Sequence, residues 1–137
     1  MKFSTLAVFL CSLIAVSQAQ CSCDGRRYSE DDISNAIDQA VNGGGGGDYP
    51  HQYKDFEKFP FLTCSDEFFE YPLERNRVYK GGKPGADRVI YDTSGDLCAC
   101  LTHSGAKGDD FLECDNGGDA DNAKVQRNKF KVQTEDL

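Results

Sequence analysis

Four side chains in this sequence form a set that could move protons at a phosphodiester. His51 lies in Tyr-Pro-His-Gln-Tyr, Glu70 in Phe-Glu-Tyr-Pro, Arg88 in Gly-Ala-Asp-Arg-Val and His103 in Leu-Thr-His-Ser-Gly. A carboxylate and an imidazole in different environments can serve as base and acid near neutral pH. A guanidinium matches the geometry of a phosphate and stays protonated beside other cations. The set therefore indicates acid–base chemistry at a phosphate.

One helix is predicted ahead of these motifs. Ser29 is a good N-cap, and the acidic residues 30–32 face the positive end of the helix dipole. Asn42 and Gly43 are typical of a helix end. The apolar residues between them have the spacing of one buried stripe, and they are Ile33, Ala36, Ile37, Ala40 and Val41.

Short segments rich in aromatic and β-branched residues follow the helix. The glycines at 43–47 have no phosphate-loop spacing, so we expect a flexible linker there rather than a nucleotide cradle. Residues 92–96 predict a hairpin loop. Strands are predicted at 49–53, 68–73, 86–91, 97–103 and 111–114. This order predicts an α+β fold with one N-terminal helix packed on an antiparallel sheet.

Strand periodicity constrains which side chains can meet, because alternate residues share a face of a sheet. His103 and Arg88 can both face a concave side. In that case Cys98, Cys100 and Val89 point towards the helix.

The two ends of the chain differ from the middle. Lys2, an apolar run at 6–16 and Ser17-Gln18-Ala19 predict a signal peptide over residues 1–19. The apolar run is too short to span a bilayer, and no later segment could, so no membrane partner is expected. We expect one secreted domain over residues 20–114 and a disordered polar tail over 115–137, which has too little apolar surface to fold alone.

The chain is acidic, with a formal net charge of −8 over 137 residues. A tight nucleic-acid binder carries a basic surface that neutralises phosphates. The charge therefore argues against a duplex-binding or ribosome-docking protein. It argues only weakly against an enzyme that holds RNA briefly.

Six cysteines follow the signal segment, and their even number suits a disulfide framework whose pairing the count leaves open. Zinc is the rival interpretation, but the chain has no Cys-x-x-Cys pair and no His-x-x-x-His spacing. A secreted chain meets an oxidising compartment. We therefore expect disulfides and no metal.

In their order and with their neighbours, these motifs resemble those of the secreted fungal guanyl-specific ribonucleases, over about residues 23–114. Pro-Gly-Ala-Asp-Arg-Val and Thr-His-x-Gly-Ala are particularly specific. The resemblance implies a monomeric endoribonuclease without metal or cofactor. It would cleave single-stranded RNA 3′ of guanosine, or of purines generally, through a 2′,3′-cyclic phosphate. DNA lacks the 2′-hydroxyl nucleophile and is not an expected partner.

The resemblance also implies a role for each side chain. Glu70 would be the general base and His103 the general acid, while His51 would help to activate the 2′-oxygen as an imidazolium. Two donors to the phosphate and one aromatic ring near the leaving group complete the set: Arg88, Tyr49 and Phe111.

By the same resemblance, the loop after His51 would recognise guanine. Main-chain N–H groups would bind the base, Tyr53 and Phe56 would stack on it, and Glu57 would accept from its N1–H and amine. The chain has Lys54-Asp55 where the family has two asparagines, and Phe56 where it has tyrosine. Backbone donors survive side-chain changes, so guanine preference should persist, although the Asp55 carboxylate would weaken binding of a carbonyl-edged base.

Three further expectations come from the resemblance. Asp109 replaces an asparagine and would contact substrate through its main-chain carbonyl. Cys23 would pair with Cys114 and Cys64 with Cys98, leaving Cys21 and Cys100 to pair with each other or Cys100 as a buried thiol.

Two alternatives share the motifs. A ribotoxin-like ribonuclease is usually basic with long loops, unlike this chain, and a non-catalytic ribonuclease-like secreted effector usually lacks a histidine or the glutamate.

Overall fold

The helix lies where the sequence predicts it, in a computed structural model that describes residues 21–61, 64 and 67–116. It is α1 (Glu30–Val41). The Ser29 hydroxyl accepts from Asp32 N at 3.1 Å, and the Asp32 carboxylate accepts from Ser29 N at 3.0 Å, which forms a reciprocal cap. Ile33, Ala36 and Ala40 of the stripe are buried and Ile37 is partly buried, but Val41 is exposed because the helix ends there.

The described residues form eight strands, all paired antiparallel. A five-stranded sheet has the order β3-β4-β5-β6-β7, and a three-stranded sheet has the order β2-β1-β8. The strands are β1 (Cys21–Cys23), β2 (Arg26–Tyr28), β3 (His51–Tyr53), β4 (Phe68–Pro72), β5 (Asp87–Asp92), β6 (Leu97–Thr102), β7 (Leu112–Glu113) and β8 (Asp115–Asn116). The predicted α+β fold is confirmed. The smaller sheet is not predicted from the sequence, because its strands are too short to show periodicity.

The five-stranded sheet carries an apolar cluster on each face. One cluster packs against α1 and includes Val89 and Cys100, as predicted. The other contains Tyr53, Ile90, Ala99, Leu101 and Phe111.

The prediction that Cys98 faces the helix is wrong. Ile90 pairs with Ala99 but Tyr91 pairs with Leu97, so the register shifts there and Cys98 is the extra residue of a β-bulge. The bulge turns Cys98 to the cluster opposite the helix.

Three disulfides cross-link the described residues: two join the pairs that the resemblance implied, and the third joins the two cysteines whose state was left open. Cys23 is bonded to Cys114 and Cys64 to Cys98. Cys21 is bonded to Cys100, which is therefore not a free thiol. The Cys21–Cys100 and Cys23–Cys114 bridges fasten β1 to the larger sheet. Cys23–Cys114 spans 91 residues of sequence, and in the chain-entropy model closing a loop of that size adds about 4.6 kcal/mol to the free energy of unfolding.

The glycine run at 43–47 is not the flexible linker that we predict from composition. The side-chain amide of Gln39 donates to the main-chain oxygens of Gly43 at 3.1 Å and Gly45 at 2.8 Å. Gly46 and Tyr49 exchange two main-chain hydrogen bonds of 3.0 and 3.1 Å. A Cβ atom on Gly46 would lie 2.7 Å from the backbone of Lys80, so glycine permits a close approach of two chain segments. The run is thus a fixed turn that leads into Tyr49.

The predicted boundaries of the ends need one correction. The tail is predicted to begin at Asp115, but Asp115 and Asn116 form β8 beside β1, where the Cys23–Cys114 bridge holds the chain. The predicted signal peptide at 1–19 and the rest of the predicted tail, 117–137, lie outside the described residues. None of the helices among the described residues is long and apolar enough to cross a membrane.

Candidate active site

His51 and Glu70 face each other across β3 and β4. They are direct partners in the antiparallel register, which brings His51 Nδ1 to 3.2 Å from Glu70 Oε1. The Glu70 side chain is only 13 % exposed. Its second oxygen, Oε2, is buried and has no hydrogen-bond partner among the described residues. One oxygen of this carboxylate is therefore held by His51, and the other keeps an unused acceptor position.

Arg88 lies on the same face of the sheet as Glu70, because Glu70 pairs with the residue two positions along β5. Arg88 is 3 % exposed. Its Nη1 donates to the main-chain oxygens of Gly85 and Asp87, both at 2.9 Å, and its Nη2 donates to the Tyr49 hydroxyl at 3.0 Å. Within the described part of the chain, Nε is buried without a partner. Arg88 is fixed at one end and retains a free donor.

Tyr49 connects His51 and Arg88. Its ring stacks on His51 with centroids 4.1 Å apart and an interplanar angle of 23°. The Arg88 guanidinium carbon lies 5.1 Å from the centre of the same ring, within the range of a cation–π contact. Since its hydroxyl oxygen accepts from Arg88, the hydroxyl proton is available to a further acceptor.

His103 follows β6 and is held by its neighbours on both sides. Its main-chain N–H donates to Ala86 O at 2.9 Å. The ring atom Nδ1 lies 2.8 Å from Asp110 O, and a carbonyl only accepts, so Nδ1 carries a proton and Nε2 is left for exchange with a substrate. The ring stacks on Phe111 with centroids 3.8 Å apart. Phe111 belongs to the cluster opposite the helix, so His103 lies on the same side as Glu70 and Arg88.

Five of the six predicted catalytic side chains thus lie on the sheet face opposite the helix: His51, Glu70, Arg88, His103 and Phe111. Tyr49 contacts His51 and Arg88 of this group, while its ring also packs against the cluster on the helix side. Elements far apart in sequence supply them. This arrangement can present a proton acceptor, proton donors and a fixed positive charge to one small anionic group.

The predicted recognition loop is joined to the Phe111 segment through Glu57. Tyr53 OH donates to Glu57 Oε2 at 2.7 Å, and Phe111 N donates to Glu57 Oε1 at 3.0 Å. Burial alone would raise the pKa of Glu57, but hydrogen bonds from Tyr53 and from main-chain N–H groups, together with nearby His103, outweigh it and lower that pKa. The carboxylate is therefore ionised at neutral pH.

The two predicted stacking rings lie in different environments. Tyr53 is buried and packs edge-on against Phe111 with centroids 5.8 Å apart. Phe56 is 84 % exposed. Phe56 therefore has a free ring face, whereas Tyr53 is part of the apolar cluster.

Asp55 shapes the loop. Its Oδ1 accepts from Phe59 N at 2.7 Å, and its main-chain oxygen accepts from Lys58 N at 3.0 Å. The hydrogen bond from Phe59 N thus engages the Asp55 carboxylate, which we expected to weaken the binding of a carbonyl-edged base. Lys54 and Asp109 are exposed, and in the part of the chain that the structure describes neither contacts the predicted catalytic side chains.

Sequence reasoning missed a buried carboxylate behind this site. Asp87 is 2 % exposed and accepts from Arg26 Nε at 2.6 Å, Arg26 Nη2 at 2.8 Å and Thr102 Oγ1 at 2.6 Å. It also accepts from the Tyr28 hydroxyl. Burial by itself raises the pKa of Asp87, but Arg26, Thr102 and Tyr28 lower it by more.

Asp87 connects two strands directly behind the predicted catalytic residues. It precedes Arg88, and its partner Thr102 precedes His103. The motif Ala-Asp-Arg-Val contains this aspartate, and strand alternation puts it on the face away from Arg88. Its main partner, Arg26, lies 61 residues earlier, and no sequence signal joins the two.

Comparison with known proteins gives an independent measure of relatedness. A protein-family model described as ribonuclease matches residues 16–115. Guanyl-specific ribonuclease U1 of Ustilago sphaerogena is 41 % identical over 97 residues, covering 68 % of this chain and 92 % of the relative. Guanyl-specific ribonuclease T1 of Aspergillus oryzae is 37 % identical over 100 residues, covering 68 % and 76 %.

A solved structure gives the same result. The ribonuclease from Hericium erinaceus, RNase He1, is 62 % identical with a TM-score of 0.59, covering 70 % of this chain and 98 % of that one. The resemblance seen in the motifs is confirmed, and the chain belongs to this ribonuclease family, whose relatives include guanyl-specific ribonucleases of fungi.

Proposed function

We propose that the protein is a guanyl-specific endoribonuclease that cleaves single-stranded RNA 3′ of guanosine without a metal ion. The names of its relatives support the base preference. One observation supports the proposed cleavage chemistry. Glu70 Oε2 and Arg88 Nε are buried polar atoms of opposite charge on one sheet face, and neither has a hydrogen-bond partner among the described residues.

An unpartnered buried polar atom costs about 1–3 kcal/mol, so such atoms call for an explanation in a native fold. An acceptor and a donor on the same sheet face are complementary to a hydroxyl that attacks an anionic phosphate. DNA has no such hydroxyl. The pair therefore favours RNA cleavage over phosphate binding alone.

The proposed reaction is a transphosphorylation. Glu70 takes the proton of the 2′-hydroxyl, and the 2′-oxygen forms a bond to phosphorus. The bond from phosphorus to the 5′-oxygen breaks, and His103 Nε2 gives its proton to that oxygen. The products are a 2′,3′-cyclic phosphate and a free 5′-hydroxyl. A carboxylate base and an imidazolium acid have the protonation states that this needs near neutral pH.

The other side chains stabilise the charge that builds on the phosphate. Arg88 Nε and the Tyr49 hydroxyl donate to the non-bridging oxygens. His51, as an imidazolium, holds Glu70 Oε1 and lies close to the 2′-oxygen. The Phe111 ring keeps the His103 imidazole in one orientation through their stacking contact.

Glu57 gives a physical basis for guanine selection. It is ionised, and each of its oxygens has a second lone pair beyond the bonds from Tyr53 and Phe111. Guanine presents N–H groups at N1 and its amine, whereas adenine has an acceptor at N1. A partly buried carboxylate would meet adenine with repulsion. The exposed Phe56 ring would stack on the base.

We further propose that residues 1–19 are removed as a signal peptide and that the mature protein is a secreted monomer. An extracellular relative, guanyl-specific ribonuclease Fl1 of Gibberella baccata, supports secretion.

The test uses the purified, oxidised protein and all GpN and ApN dinucleotides in the presence of EDTA. We expect GpN cleavage to a cyclic phosphate, with ApN much slower. His103→Ala should lower kcat/KM by at least about 10²-fold, while Lys107→Ala, a nearby exposed substitution, should not. Equal cleavage of ApN would overturn the guanine preference. Intact dinucleotides with only one ribosomal fragment released would indicate a ribotoxin-like enzyme.

A further inference from the structure

A cavity of about 370 Å³ lies against the turn that leads into β5. Four cationic side chains and two carboxylates line it: Arg26, Arg75, Arg77, Lys83, Glu74 and Asp87. Cations outnumber acids here, in a chain whose net charge is −8. The cavity is therefore a local positive region on an acidic protein.

The carboxylates of the cavity are already neutralised. Asp87 is bonded to Arg26 at 2.6 Å, and Glu74 is bonded to Arg77 through contacts of 2.6 and 3.0 Å. The side chains of Lys83 and Arg75 have no hydrogen bond or ion pair with any residue that the structure describes, and both are exposed. The two charges free to meet a ligand are thus both positive.

The cavity shares a wall with the candidate active site. Gly85 lines the cavity, and its main-chain oxygen accepts from Arg88 Nη1. Ala86 also lines it, and its main-chain oxygen accepts from the His103 N–H. An anion in the cavity would therefore lie just behind the loop that fixes these two residues.

The position of the cavity relative to β4 indicates how a bound RNA chain would run. Tyr53, in the recognition loop, pairs with Phe68 at the start of β4, Glu70 lies in the middle, and the cavity residues from Leu73 onward follow the end of this strand. An RNA chain with its guanine in the loop and its cleaved phosphate at Glu70 would continue towards the cavity. The leaving nucleoside belongs on the His103 side of the cleaved bond, and the main chain of Ala86, which accepts from the His103 N–H, lines the cavity.

We propose that this cavity is a phosphate subsite that binds the phosphate 3′ of the leaving nucleoside through Lys83 and Arg75. This inference rests on the proposed function, which sets the direction in which the bound RNA chain runs. Lysine and arginine are both suited to phosphate, the first as a point charge and the second as a planar donor. The subsite would let an acidic enzyme favour longer RNA over dinucleotides.

The experiment compares GpU with GpUp, which differ only in the phosphate that the subsite would bind. The wild-type protein should cleave GpUp with a higher kcat/KM at low salt, and the advantage should shrink as salt rises. Lys83→Gln and Arg75→Gln should each lower that advantage by up to about fivefold, as expected for exposed ion pairs. The double variant should cleave both substrates equally.

Lys80→Gln is the matched control, since Lys80 is exposed nearby but does not line the cavity. It should keep the GpUp advantage. An advantage that is absent from the wild type, or that persists in the double variant, overturns the subsite.

A binding measurement separates this inference from the proposed function. The uncleavable 2′-deoxy analogues dGpU and dGpUp are titrated against wild-type and double-variant protein. Tighter binding of dGpUp by the wild type alone supports the subsite even if GpU is not cleaved. Equal binding of the two analogues by the wild type rejects it.

Discussion

Asp87 and Glu70 are two largely buried carboxylates on opposite faces of the same sheet, and their surroundings differ. Asp87 accepts from Arg26, Tyr28 and Thr102, and these partners hold its pKa below the ordinary value against the effect of burial. Glu70 accepts one bond, from His51, and keeps a buried oxygen without a partner among the described residues. A fully bonded carboxylate adds stability, whereas an incompletely bonded one is available for chemistry.

The two faces are connected by the chain itself. Asp87 and Arg88 are neighbours in sequence, and the alternation of a strand sends them to opposite sides. Thr102 and His103 have the same relation at the end of β6. The face that holds the fold together therefore also sets the position of the face proposed to do chemistry.

The largest effect is expected from Glu70→Gln. The amide of this variant would not take the 2′-hydroxyl proton as a base, so kcat/KM on GpU should fall by about 10³-fold. The free energy of unfolding should stay close to the wild-type value, because Glu70 accepts only one hydrogen bond among the described residues. Initial rates and urea unfolding on the same preparation measure both. Glu67→Gln, an exposed carboxylate in the same segment, is the control, and equal loss of activity in both variants would refute the role of Glu70.

Asp87→Asn should have the opposite effects, with a large loss of stability and a small change in activity. It removes one partner of a buried ion pair and leaves donors of Arg26 and Tyr28 facing an amide, so the free energy of unfolding should fall by about 3 kcal/mol. Activity per folded molecule on GpU should stay within about tenfold of the wild type, because the Asp87 side chain lies on the sheet face away from Glu70 and Arg88. Urea unfolding detects the change, with exposed Asp48→Asn as the control. A variant of full stability would contradict the comparison.

Phe56→Ala should weaken base binding without weakening the fold. Stacking of one base on an aromatic ring contributes about 1–3 kcal/mol, so KM for GpU should rise by about tenfold. Stability should not change, since the ring is 84 % exposed. Phe56→Tyr keeps a ring and should retain wild-type kinetics. An unchanged KM in Phe56→Ala would show that the ring does not stack on the substrate.

The smallest effect is the pH dependence of the Asp87 contribution. The pKa of Asp87 is lower in the folded protein than in the unfolded chain, so its stabilisation is present above the unfolded value of about 3.9 and is lost as the pH falls through the folded value. The stability difference between wild type and Asp87→Asn should be constant from pH 7 to about pH 5 and shrink below about pH 4. A difference that grows on acidification would be the contrary result.

Much of the fold could be predicted from local patterns. Ser29 and the stripe from Ile33 predict α1 because capping and periodicity are properties of neighbouring residues. The four motifs around His51, Glu70, Arg88 and His103 predict the candidate site because each is short and specific.

The features that the sequence did not predict have a common physical cause. Each depends on contacts between segments that are distant along the chain. The bulge at Cys98 arises from the pairing of two strands, and β1 and β8 are too short to be recognised alone. Arg26 contacts Asp87 across 61 residues of sequence, from a hairpin that two disulfides join to the rest of the fold. The order of the glycine run depends on Gln39, which nothing in the run itself indicates.

The glycine run acts as a spacer of set length between α1 and Tyr49. Gln39 fastens one end to the helix, and the exchange between Gly46 and Tyr49 closes the other. Inserting or deleting a single residue would carry the Tyr49 hydroxyl away from Arg88, although no charged group had been touched. Such a variant would lose activity as an active-site variant does, although the altered segment contains no catalytic side chain.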